Sequence, residues 1–184
     1  MNALVIILVV VVVLGVAVAV MYNRLVRRRV RVENAWSQID VQLKRRIDLI
    51  PNLVDTVKGY ASHEQKTLDA VIQARNMATT AAPTPVAQAA ADGVLTGALR
   101  QLFALSEAYP DLKANQNFLA LQEELSATEG RVAYARQFYN DSVMSYNEAI
   151  QKFPTVFVAR IGGFTTKEFF GADVADRVVP KVQF

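Results

Sequence analysis

The chain has no cysteine among its 184 residues. Disulfides, thiolate nucleophiles and cysteine-ligated zinc or iron are therefore excluded. It has a single histidine, His63, and that removes most metal sites and most histidine-driven catalysis. His63-Glu64 opens like a zincin motif, but H-E-x-x-H needs a second histidine where Thr67 stands. No histidine follows a glutamate by three residues, so the Glu-x-x-His pairs of a di-iron bundle are missing. Ser62-His63 is no dyad, because adjacent helical side chains point apart. The eight glycines are scattered and build no phosphate loop. These absences predict a protein that is not an enzyme and carries no cofactor or metal.

A broad basic surface is also lacking. The formal charge of +3 comes from Arg24, Arg27, Arg28, Arg29 and Arg31, while the remaining 15 basic residues face 17 acids. A nucleic-acid partner is therefore not expected, because such a protein spreads its positive charge over a face of the domain.

What is present begins with an uncharged run over residues 3–22, nine of them valine. Twenty residues suffice to cross a hydrocarbon core of roughly 30 Å. Valine is a poor helix former in water, but in lipid an unpaired backbone costs more than restricted rotamers. Ala17-Val18-Ala19 mimics a signal-peptidase site, yet a signal peptide carries positive charge before its apolar stretch, and only Met1 and Asn2 precede this one. The five arginines follow the run instead. By the positive-inside rule these membrane-orienting residues hold the downstream end in the cytoplasm, with the N-terminus outside. Gly15 and Ala19 add a small-xxx-small spacing that suits helix approach in the bilayer.

Beyond the arginines, Val32, Trp36, Ile39, Leu43, Ile47, Ile50, Val54 and Val57 recur in steps of three and four, the mark of one helix face. Pro51 predicts a kink rather than a stop. Ser62 and Gln65 read as a capping box for a second helix over 63–79. Pro83 and Pro85 mark a loop over 79–86, and a third helix follows over 86–109. A fourth, over about 38 residues, carries Phe118, Leu121, Leu125, Val132, Tyr139, Val143, Tyr146 and Ile150. At roughly 57 Å it outruns the second, at roughly 26 Å, so part of it must pack elsewhere. From Phe153 on the chain holds six of its nine phenylalanines, with Thr165 and Glu168 as a cap for one short helix.

The predicted architecture is all-α: an anchor over 1–23, a basic segment over 24–31, an antiparallel four-helix up-and-down bundle over 32–153 and a Phe-rich tail over 154–184. A three-helix arrangement survives if Gly59 bends the first helix without reversing it. Trp36, Leu43, Leu125 and Val132 are expected in the core. Glu129 and Arg136 share the apolar face of the fourth helix, and Arg46 and Arg75 border the stripes of the first and second. Together they form a candidate buried polar network that fixes register, or a ligand site. Tyr139-Asn140 and Tyr146-Asn147 repeat one heptad apart and suit interhelical hydrogen bonds.

Several stretches resemble the signature of the LemA family: Val32-Glu33-Asn34-Ala35-Trp36-Ser37-Gln38-Ile39-Asp40, then Asp48-Leu49-Ile50-Pro51-Asn52-Leu53-Val54, Tyr109-Pro110-Asp111-Leu112-Lys113-Ala114-Asn115 and Leu121-Gln122-Glu123-Glu124-Leu125. The likeness covers Tyr22 to Phe170 and implies a bacterial inner-membrane protein with an antiparallel four-helix bundle. The family supplies no established catalytic residue or substrate; some relatives serve in magnetosome membranes and others are encoded beside membrane zinc proteases. Two functions are therefore expected to compete. One is a self-associating scaffold in the bilayer, a homo-oligomer with Gly15, Ala19, Phe157, Phe164, Phe169 and Phe170 as candidate assembly contacts. The other is an adaptor that binds clients for a membrane protease.

Overall fold

The computed structural model describes residues 2–171, apart from the Asn2 side chain. Helices are the only regular elements among the described residues: α1 (Asn2–Lys58), α2 (Gln65–Thr80), α3 (Pro85–Ser106), α4 (Pro110–Lys113), α5 (Gln116–Gln151) and α6 (Thr155–Ile161). The apolar run and the first amphipathic stripe form one helix. Between Gly15 and Pro51 there is no glycine or proline to interrupt it. The helix also continues through Pro51, where buried Ile50, Leu53 and Val54 hold its inner face by packing.

Three boundaries differ from the sequence reading. The expected capping box at Ser62 does not form: α2 begins after Glu64, which makes no side-chain cap. Its carboxylate instead accepts a hydrogen bond from the Tyr109 hydroxyl at 2.9 Å. The third helix ends at Ser106 rather than Tyr109, and the following residues form the short α4. Asn115 then caps α5, its Oδ1 accepting from the Phe118 amide at 3.0 Å. The short helix of the tail is α6, placed before Gly162-Gly163, while 164–168 is not helical. Gly162 is required there: a Cβ on it would lie 2.6 Å from the Phe164 ring.

The chain forms two compact units. Among the described residues, the first contains 2–37 with 138–167 and the second contains 38–137 with 168–171. In the second unit α1, α2, α3 and α5 contribute to one apolar core, with Ile50, Leu53, Val57, Val71, Leu95, Leu102, Phe118 and Leu125 buried. Leu43 and Val132 are buried too. In the first unit the juxtamembrane part of α1 runs antiparallel to the end of α5. Arg28 bonds to Ser145, Arg31 covers Phe138 and Trp36 meets Tyr139 with ring centroids 5.6 Å apart. The end of α5 thus packs along residues 28–36 of α1. Trp36, expected in the core, is half-buried.

Candidate functional site

Arg46 is the largest of the fully buried side chains in the second unit, only 2% exposed. Its Nη1 donates to Asp92 Oδ1 at 2.6 Å and to Thr96 Oγ1 at 2.9 Å. Asp92 and Thr96 stand four apart on α3, so both face α1. From α5, Glu129 Oε2 lies 3.7 Å from Arg46 Nη2, and its Oε1 lies 3.8 Å from Arg100. Burial pushes the Asp92 carboxyl above the ordinary range even though the Arg46 charge and hydrogen bond pull it down. Arg46 Nε is buried and has no hydrogen-bond partner among the described residues. Beside it a cavity of about 150 Å³ is lined by Arg46, Thr96, Arg100, Gln122, Ser126 and Glu129 over Leu99, Phe103 and Leu125. The arrangement brings opposite charges from three helices together.

The structure brings together only part of the expected network. Glu129 does reach Arg46, but its side chain is 47% exposed rather than turned into the core. Arg136 is exposed as well and acts on Asp92 at longer range. Arg75 is half-buried on α2, outside the cluster, its Nε without a hydrogen-bond partner among the described residues. Arg46 does not border its stripe but lies beneath it. Asp92, the principal partner, was missed in the sequence. The available signal was an acid between Ala91 and Leu95 on a face that is otherwise apolar.

The first unit holds a second constellation. Arg24, Arg27, Arg28 and Arg31 of α1 face Phe138, Asp141, Ser142 and Ser145 of α5 across a groove of about 590 Å³. Both sets follow i, i+3, i+4, i+7 spacing, so two helix faces form the walls. Arg28 donates to the Ser145 carbonyl at 2.8 Å and to its hydroxyl. The Arg31 guanidinium lies 5.4 Å from the Phe138 ring centroid. Arg29 leaves on another face, 4.0 Å from Glu33 and 5.3 Å from the ring centre of Phe164. That ring meets Tyr22 edge-on at 5.5 Å.

The phenylalanines of the tail divide by burial. Phe164 and Phe170 are buried within their own chain and Phe169 is half-buried, whereas Phe157 is exposed. Phe153 and Ile161, at 82% and 90% exposed, join Phe157 in an open apolar ledge. The Tyr146 hydroxyl donates to the Thr165 carbonyl at 2.9 Å, and Asn147 exchanges two hydrogen bonds with the Lys167 backbone. This Tyr-Asn pair therefore bonds to the tail rather than to another helix. Burial raises the Tyr146 hydroxyl above its ordinary range. Gly15 and Ala19 lie on the exposed surface of α1, with open space where a Gly15 Cβ would stand. The last part of the Phe-rich tail, 172–184 with Phe184, lies outside the described residues.

Comparison with known proteins gives the lineage. The LemA family model matches residues 35–184. The protein LemA of Metamycoplasma hominis is 30% identical over 159 residues, covering 85% of this chain and 71% of that one. The magnetosome protein MamQ of Magnetospirillum gryphiswaldense is 26% identical over 174 residues, covering 81% of this chain and 64% of its own length. Magnetosome protein MamQ 2 of Paramagnetospirillum magneticum is 27% identical over 195 residues, covering 92% and 72%. A family match over most of the sequence, with relatives aligned along nearly all of it, leads to one assignment: the chain belongs to the LemA family.

Proposed function

We propose that this protein is a membrane-anchored, non-enzymatic scaffold that self-associates in the plane of the bilayer. α1 supplies the anchor, since it is long and apolar enough to cross a membrane and none of its apolar window is buried inside the protein. The observation that carries self-association is the ledge of Phe153, Phe157 and Ile161, where Phe153 and Phe157 meet at 6.1 Å and leave their outer faces open. Exposed apolar groups gathered in one place mark contact surfaces. The ledge leads through Gly162-Gly163 to Phe164 on Tyr22, and so stands beside the end of the apolar run, where a second copy in the same bilayer is presented at the same height. Gly15 and Ala19 support the same partner, because small residues let spans approach closely.

Light scattering on the full chain in mild detergent tests the reading. A uniform particle of several copies is expected, and Phe157→Asp with Ile161→Asp should reduce it to a smaller one. A wild-type monomer would overturn the scaffold and leave the adaptor for a membrane protease as the alternative. A particle unchanged by both substitutions would remove the ledge as its contact.

A further inference from the structure

We infer that the groove between α1 and α5 in the first unit binds the phosphodiester headgroup of an anionic phospholipid. This rests on the reading that α1 crosses the bilayer. Arg24 stands two residues beyond Tyr22, where the uncharged run ends. At 1.5 Å per residue, Arg24 to Arg31 covers roughly 10 Å along the helix. The headgroup layer on each side of the hydrocarbon core is roughly 5–8 Å deep. The near end of the groove is thus at phosphate depth.

The lining fits that ligand. Four guanidinium groups face the single carboxylate of Asp141, and the Ser142 and Ser145 hydroxyls lie along the opposite wall. Two of the arginines are already fixed, Arg28 by the Ser145 carbonyl and Arg31 by the Phe138 ring. Arg24 and Arg27 make no hydrogen bond or ion pair among the described residues. Their guanidinium forks suit the paired oxygens of a phosphodiester. A run of arginines that served only to orient the helix would need charge alone. These line a space of about 590 Å³ with the Ser145 hydroxyl on its far side, while the Ser142 hydroxyl donates to the Phe138 carbonyl at 2.8 Å.

Titration of the full chain in detergent with phosphatidylglycerol and phosphatidylcholine, read by native mass spectrometry, tests the inference. Wild type should hold phosphatidylglycerol in clear preference to phosphatidylcholine. Each arginine near an anionic lipid contributes a factor of roughly five, so R24Q with R27Q should weaken phosphatidylglycerol binding on the order of twentyfold. R160Q removes the same kind of charge from exposed α6 and should leave binding unchanged, while D141N should tighten it. Millimolar inorganic phosphate should not displace the lipid; displacement would assign the groove to free phosphate. Equal retention of both lipids by wild type, or equal losses from R160Q and R24Q, would overturn the site. Release of the protein from membranes by alkaline carbonate would instead overturn the membrane span itself, so the two failures are told apart.

Discussion

Among the described ion pairs, that of Arg46 with Asp92 is the most withdrawn from water, its side chains 2% and 17% exposed. Surface pairs such as Lys113–Glu107 and Lys152–Glu148 contribute little, because water screens both charges. The Arg46 pair is different in kind, because removing one partner strands the other charge. Arg46→Met and Asp92→Leu should each cost roughly 3–5 kcal/mol, and the double variant should recover most of that loss. Denaturant melts of the full chain in detergent measure the cycle; additive losses would show that the two residues act separately. The pair also has a pH signature. Burial raises the folded Asp92 carboxyl above 3.8, so the folded state takes up the proton more readily than the unfolded one. Its contribution to stability is full below the ordinary carboxylate range and is lost as pH rises through the raised folded value. Relative to Asp92→Asn, the wild type should therefore be at its best in acid and lose ground toward neutrality. A wild-type advantage that grows with pH would mean that attraction to Arg46 outweighs burial.

The elements that were legible in the sequence are those whose pattern is repeated and uninterrupted. The stripes through Ile39, Leu43 and Ile50 and through Phe118, Leu125 and Val132 gave α1 and α5, because helical periodicity over many turns leaves few alternatives. Short elements were not legible. α4 is four residues long and α6 seven, too short for periodicity to declare itself. The Ser62 cap does not form: α2 starts at Gln65, two residues later than expected, and Glu64 before it is engaged by Tyr109 from a distant part of the chain. Arg46 and Glu129 were visible as charges near apolar stripes, but Asp92 was not. A lone acid beside Gly93 looks like any solvated helix position until α1 and α3 are brought together. The segment after α6 depends on the same kind of long-range bond. Asn147 donates to the Lys167 carbonyl and accepts from the Lys167 amide, each bond worth about 0.5–1.5 kcal/mol net. Asn147→Ala should therefore release the segment from 162 onward while the helices persist. Limited trypsin digestion should show faster cleavage at Arg160 and Lys167 with an unchanged helical circular dichroism spectrum. Cleavage at the wild-type rate would mean that Phe164 on Tyr22 holds the segment without Asn147.

For the molecule as a whole, the governing asymmetry is charge on one side of an apolar helix. Five arginines follow the run over 3–22 and no charged side chain lies within it. Lysine and arginine are retained on the cytoplasmic side during insertion, whereas acids contribute little to the choice. The protein should therefore present everything after Tyr22 to the cytoplasm. The lack of cysteine makes this directly measurable, since one introduced thiol is the sole target of a maleimide. Ser62 is exposed in the turn before α2 and suits the substitution. A membrane-impermeant maleimide should label Ser62→Cys only after the cells are permeabilised. Neutralising Arg27, Arg28, Arg29 and Arg31 to glutamine removes most of the asymmetry and leaves the apolar run intact. Labelling of intact cells should then rise, as part of the population inserts the other way round. Prompt labelling of Ser62→Cys in intact cells with all five arginines present would reverse the assigned orientation. Labelling unaffected by the four substitutions would show that the arginines do not set it, and would leave headgroup binding in the groove as their role.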